Sequence, residues 1–192
     1  MSKVAVVYHS GYGHTQRQAE AVRDGAALNT NDEVHLISVE EIDDNWDKLD
    51  AADAIIFGSP TYMGGVSAQF KTFADKTSKV WAERGWQDKV AAGFTNSASQ
   101  NGDKHGTLQQ MQVLAAQHGM IWVPLGLAPG NNSSQGSLED VNRLGGSIGA
   151  LAQSNADQGP EHGPTKADLE TAKLLGAKVA EIANRLQAPI AA

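Results

Sequence analysis

With 192 residues, 41% of them hydrophobic in type, the chain is long enough to form one compact domain over 1–192 with a real core. A net charge of −7 without a lysine- or arginine-rich run argues against a nucleic-acid partner, which needs a basic face. The lack of cysteine excludes disulfides, thiolate metal sites, cysteine-ligated clusters and cysteine nucleophiles, so any electron traffic must use a bound cofactor.

Met1-Ser2-Lys3 leads straight into an apolar run, without the long apolar stretch and small-residue cleavage site of a signal peptide. No apolar run approaches the roughly 20 residues of a bilayer span. A cytoplasmic protein without a membrane span is expected. In chain order, Lys3–His9 predicts a first strand, and 14–28 a helix with Ala19, Val22 and Ala26 on one face. Glu33–Val39 predicts a more amphipathic strand, suited to an edge, and Ala54–Gly58 a short apolar strand covered on both faces. Ser67–Trp81 reads as a helix directing Phe70, Phe73 and Val80 inward. Lys89–Thr95 follows as a strand, Thr107–His118 as a helix and Met120–Leu125 as a fifth strand. The stretch 126–163 is rich in Gly, Asn, Ser and Gln and reads as irregular, long enough to suggest a functional loop. A last helix begins at a Thr165/Asp168 capping pair, with Ala172, Leu175, Val179, Ile182 and Leu186 at helical spacing.

Five strands alternating with helices predict a parallel sheet covered on both faces, with ligands beyond the carboxyl ends of the strands. The segments after strands one, three and four are all rich in Gly, hydroxyls and amides. Ser10-Gly11-Tyr12-Gly13-His14-Thr15 turns from a strand into a helix, where unpaired N–H groups and the helix dipole favour a phosphate. A Rossmann fingerprint is broken by Gln16 at the third glycine position, and the lysine of a Walker loop is missing, so a mononucleotide phosphate cradle fits best. Pro60–Gly65 combines a rigid proline with glycines that let backbone approach a flat ring, and Tyr62 is placed to stack on one. Gly145-Gly146-Ser147-Ile148-Gly149 matches a nucleophile elbow but lacks the strand before it that a hydrolase requires. The six histidines show no metal spacing. His118, at a helix end, is the one singled out.

These loops, in this order, resemble the flavodoxin-like fold, a three-layer sandwich on a five-stranded parallel sheet. More closely, Val6–Thr15, Phe57–Gly64, Gln69–Phe73 with Trp81, His118–Ile121 and Leu174–Leu186 resemble the FMN-binding NAD(P)H:quinone oxidoreductases often called WrbA. The resemblance implies that Ser10, Tyr12, Gly13, His14 and Thr15 hold the FMN phosphate, and that Pro60, Thr61, Tyr62, Met63 and Gly64 line the isoalloxazine. Asn96, Ser97, Ser99 and Gly102 would contact the ring edge and ribityl chain. His118, reaching across a subunit boundary, and Trp81 would border the substrate side as the catalytic pair. It further implies a homotetramer or homodimer and a two-electron, ping-pong transfer from NADH or NADPH to a quinone. The chain departs from the family where Asn96 and Gln100-Asn101 bring amides, and where 145–149 lack the usual proline and tyrosine. A flavodoxin-type electron carrier without turnover of its own is the alternative.

Overall fold

The computed structural model describes residues 2–28 and 32–187. Its centre is a parallel sheet of β1 (Lys3–Tyr8), β2 (Glu33–Ser38), β3 (Ala54–Tyr62) and β5 (Val90–Ser97), in spatial order β2-β1-β3-β5. β2 is at an edge, as its amphipathic pattern predicts. The sheet is buried on both sides because β1, β3 and β5 are apolar along most of their length. Val4 and Val6 of β1, with Ala54 and Ile56 of β3, face α1 (His14–Ala26) and α6 (Lys166–Gln187). Ala5 and Val7, with Ile55 and Phe57, face a 3-10 turn over Val39–Asp44, α2 (Trp46–Ala51), α3 (Ala68–Lys76) and α5 (Lys104–Gln117). The result is the expected three-layer sandwich. On the first face α1 and α6 touch backbone to backbone. A Cβ on Gly176 would sit 1.9 Å from the Val22 carbonyl oxygen, and one on Gly25 1.8 Å from that of Lys173, so only glycine fits at the crossing.

The fifth strand is not continuous as expected over Met120–Leu125. β6 spans only Ile121–Trp122, paired with Val90 and Ala91. The Val123 N–H still reaches Ala91, but Pro124 has no N–H to continue the ladder and the Leu125 N–H turns away to the Ser147 carbonyl. The chain then leaves the sheet until β7 (Ala150–Gln153) returns to fill the remaining edge of β5, pairing with Phe94–Ser97. The 126–163 stretch therefore contains a strand that its sequence does not announce. Ala150-Leu151-Ala152 lacks β-branched residues, and it is the open edge of β5 that makes it a strand.

Other boundaries move for identifiable reasons. β3 runs on to Tyr62 and forms a small antiparallel hairpin with β4 (Gly65–Val66). The single helix expected over Ser67–Trp81 is two, α3 and α4 (Ser78–Ala82), separated at Thr77. Ser67 caps α3, its Oγ accepting the Phe70 N–H at 3.2 Å. α5 begins at Lys104, one turn before the expected start. Helix α1 ends at Ala26, leaving Leu28 exposed, and Leu186 at the end of α6 is exposed rather than core.

Candidate functional site

A cleft of about 630 Å³ opens at the carboxyl edge of the sheet, within the size range of small-molecule and cofactor sites. Four post-strand segments meet there. The turn after β1 contributes Tyr12, His14 and Thr15, the β3–β4 hairpin Pro60 to Gly64, and the segment from Asn96 to Asp103 the opposite wall. The fourth, after β7, contributes Ser154, Asn155, Ala156, Gln158 and Gly159. Three of the four are the glycine-, hydroxyl- and amide-rich loops that the sequence places after strands one, three and four; the fourth lies within the irregular 126–163 stretch, whose sequence does not mark β7.

The turn after β1 is organised from within. Ser10 Oγ accepts the N–H of Gly13 and that of Gln16, both at 3.1 Å. Gly13, at φ +86°, takes a left-handed conformation that turns the chain into α1. The N–H groups of His14 and Thr15 find no acceptor among the described residues, and they open the 13-residue helix α1. His14 Nε2 is buried against the cleft without a hydrogen-bond partner. Together these unpaired donors at a helix N-terminus suit a dianionic phosphate, and the cleft is lined by no Lys or Arg that would do so instead. Ser10 and Gly13 thus shape the turn from behind rather than line the cleft.

The second wall is aromatic and apolar. Tyr62 and Tyr12 meet edge to face, ring centroids 6.3 Å apart. Gly11 lies under the Tyr62 hydroxyl, where a Cβ would come within 2.5 Å of the oxygen. Met63 is fully exposed at the tip of the hairpin, with φ +48°, followed by Gly64 at +80°. Burial and the nearby Tyr12 push the Tyr62 phenol above its ordinary pKa. Below them Thr61 Oγ1 bonds both Thr95 and Thr107 hydroxyls at 2.8 Å, which fixes the hairpin to β5 and α5.

The third wall is amide-rich. Asn96 is buried, and its Oδ1 accepts the Ser154 hydroxyl at 3.0 Å, leaving its Nδ2 without an acceptor among the described residues. Ser97 Oγ donates to the Ser99 carbonyl at 3.0 Å, and Gln153 Nε2 to the Ala98 carbonyl at 2.9 Å. The post-β5 and post-β7 segments are thereby laced together. Behind them Arg143 and Asp168 form a bidentate pair, at 2.8 and 2.7 Å, with side chains only 5% and 1% exposed. Asp168 Oδ2 also accepts the Gln153 N–H at 3.0 Å. Thr165 does cap α6, accepting the Asp168 N–H at 3.3 Å, but the Asp168 carboxylate faces inward to Arg143.

Two residues expected at the substrate side lie elsewhere in this chain. His118 ends α5 just before β6, at the amino edge of the sheet, so the length of β5 separates it from the cleft. It is buried, with Nε2 2.8 Å from Thr77 Oγ1 and its ring 4.6 Å from that of Trp86, and burial holds its pKa below the usual histidine value. Trp81 is 55% exposed on α4 and does not line the cleft, whereas Trp86 is wholly buried. The Gly145–Gly149 segment is preceded by no strand and followed by β7 rather than a helix, and Ser147 lies outside the cleft.

A parallel sheet with a phosphate-suited first turn and flat, backbone-rich walls beyond strands three and five defines a flavodoxin-like protein. The family of NADPH-dependent FMN reductases matches residues 21–133, and the chain belongs to it. It is 54% identical over 189 residues to flavodoxin FldP of Pseudomonas aeruginosa, which covers 98% of this chain and 100% of that one. It is 33% identical over 206 residues to an NAD(P)H dehydrogenase (quinone) of Aromatoleum aromaticum, covering 96% and 97% of the two chains. The crystal structure of a WrbA-like flavodoxin from Agrobacterium tumefaciens superposes with a TM-score of 0.75 at 50% identity, covering 96% of this chain and 99% of that one. No described helix is long and apolar enough to cross a membrane.

Proposed function

We propose that this chain is an FMN-dependent reductase that carries electrons from NADH or NADPH to quinones or similar flat acceptors. The observation that carries this reading is the cleft itself. Unpaired N–H groups and a helix N-terminus stand at one end, and an exposed aromatic and thioether surface stands at the other. Ser10, Tyr12, Gly13, His14 and Thr15 would hold the FMN phosphate, Ser10 and Gly13 by shaping the turn. Pro60, Thr61, Tyr62, Met63 and Gly64 would flank the ring. Asn96, Ser97, Ser99 and Gly102, with Ser154 to Gly159, would take the ring edge and ribityl chain.

What the cofactor supplies when bound is a two-electron store between nicotinamide and acceptor. The protein's part is to bind, orient and shield. Asn96, locked by Ser154, presents its Nδ2 as a fixed donor. Tyr12, Tyr62 and Met63 leave an apolar, solvent-facing rim on which a planar donor or acceptor can stack. His118 and Trp81 would border a cleft only if it belonged to a second copy of the chain. Trp81 has the exposure for that, whereas His118 would have to leave Thr77 and Trp86. The names of the quinone-dehydrogenase relatives support the reductase reading.

The relative named flavodoxin favours a second reading, an electron carrier that depends on a separate reductase. Anaerobic mixing of FMN-loaded protein with NADH and, in parallel, NADPH separates the two. The reductase reading expects the yellow flavin band to bleach with at least one nicotinamide and to return on adding a benzoquinone. A band unchanged by both would leave the carrier reading in its place.

A further inference from the structure

Lys104 is the least expected side chain near the cleft. It is 1% exposed in the first turn of α5, directly after the loop that forms the third wall. Its Nζ donates to the Ser99 carbonyl at 2.5 Å and to the Gln100 carbonyl at 2.9 Å. Both carbonyls belong to the 97–102 loop, whose Ser97, Ser99 and Gly102 face the cleft while Gln100 and Asn101 are exposed to water. The loop is tied to β7 at its first end, where Ser97 pairs with Gln153 and Gln153 Nε2 donates to the Ala98 carbonyl. Beyond Ala98 it contributes no core residue, turns through left-handed positions at Gly102 and Asp103, and is otherwise held by local hydrogen bonds.

We propose that Lys104 is a positioning residue, whose buried ammonium clamps the Ser99 and Gln100 carbonyls and so sets the shape of the wall that holds FMN. The proposal rests on the cleft being the FMN site. The clamp is strongest while the amine is charged, because an ammonium pulls on carbonyl dipoles far harder than a neutral amine. Burial is the largest influence on that charge and pushes the Lys104 pKa down to about 8. The charged groups around it are Asp168 of α6, which favours the ammonium, and Arg143 of the 126–149 excursion, which opposes it; Asp103 precedes it in its own turn. The sign follows. Below about pH 8 the clamp is charged and tight, and as pH rises through that value it slackens. Because the unfolded lysine keeps its proton to higher pH, folding works against this charge at neutral pH, and stability alone does not account for a buried lysine here.

The test is FMN affinity, read by flavin fluorescence between about pH 7 and about pH 9, where Tyr62 stays protonated. Wild-type affinity is expected to fall severalfold across that range. Lys104→Met, similar in length, is expected to bind about tenfold more weakly at neutral pH and to lose the slope, while its apoprotein melts close to the wild-type temperature. Lys104→Arg, whose charge does not titrate, should keep neutral-pH affinity and lose the slope. Any slope that Lys104→Met retains belongs to other groups. Equal affinities for wild type and Lys104→Met, or identical slopes, would overturn the proposal. Hydrogen exchange of the 97–102 amides in the apoprotein is read alongside. If wild type binds no FMN, the cleft reading fails. The clamp is then judged by whether those amides exchange faster in Lys104→Met than in wild type at the same pH, and equal rates would overturn it too.

Discussion

Arg143→Ala is expected to lower the unfolding free energy by about 3–5 kcal/mol, the cost of leaving a buried carboxylate unpaired. Asp168 has no water to turn to, since its side chain is 1% exposed, and Arg143 supplies both of its close charge-assisted hydrogen bonds. The damage should spread along a defined path. Asp168 also holds the Gln153 N–H, and Gln153 holds the Ala98 carbonyl, so the pair anchors β7 and, through it, the third wall. Thermal or urea unfolding of the purified variant reads the first effect, and hydrogen exchange at 97–102 and 153–159 the second. Asp168→Asn is expected to destabilise as well, because it strands the buried Arg143 guanidinium and replaces one of the two accepting oxygens with an N–H donor. A loss well under 1 kcal/mol for Arg143→Ala would show that water reaches the carboxylate and that the pair is not sealed.

Gly13→Val is expected to abolish FMN binding at micromolar concentrations while leaving most of the fold in place. Gly13 sits at φ +86°, a conformation that β-branched residues essentially avoid. A Cβ there would also come within 2.8 Å of Pro160 Cγ. Pro160 follows the fourth wall directly, and Arg17 in α1 donates to its carbonyl at 2.8 Å, so it cannot yield without moving that wall. A forced change at Gly13 would take its N–H off Ser10 Oγ and turn the His14 and Thr15 N–H groups away from their common direction. The strain is worth about 1–2 kcal/mol, but the lost phosphate contacts make the larger difference to affinity. Flavin fluorescence titration checks the binding, and circular dichroism checks that the sheet survives.

The part of the site that sequence reveals is the part that backbone chemistry dictates. A strand that stops at Ser10-Gly11-Tyr12-Gly13 before a helix has one economical geometry, and glycines and a proline after Gly58 mark a tight hairpin in the same way. Burial of β1 and β3 on both faces, with alternate residues in the two cores, follows from largely apolar strands with helices on either side. What sequence hides depends on partners far along the chain. Ala150–Gln153 is a strand only because Pro124 vacates the edge of β5. Lys104 reads as a solvated charge at a helix start, and its burial comes from the loop folded over it. Asp168 fits a capping pattern so well that its inward pairing with Arg143, 25 residues away, leaves no local trace. His118 occupies a motif that resembles a family's substrate side, yet this chain packs it against Trp86.

A comparison of two ligands that differ only in a phosphate tests the central claim most directly. Apoprotein is titrated with FMN and with riboflavin while flavin fluorescence is followed. The cradle at the start of α1 predicts saturable binding of FMN in the micromolar range or tighter, and riboflavin weaker by about a hundredfold, equivalent to two or three charge-assisted hydrogen bonds. Equal affinity for both, or no saturation with FMN, would contradict it.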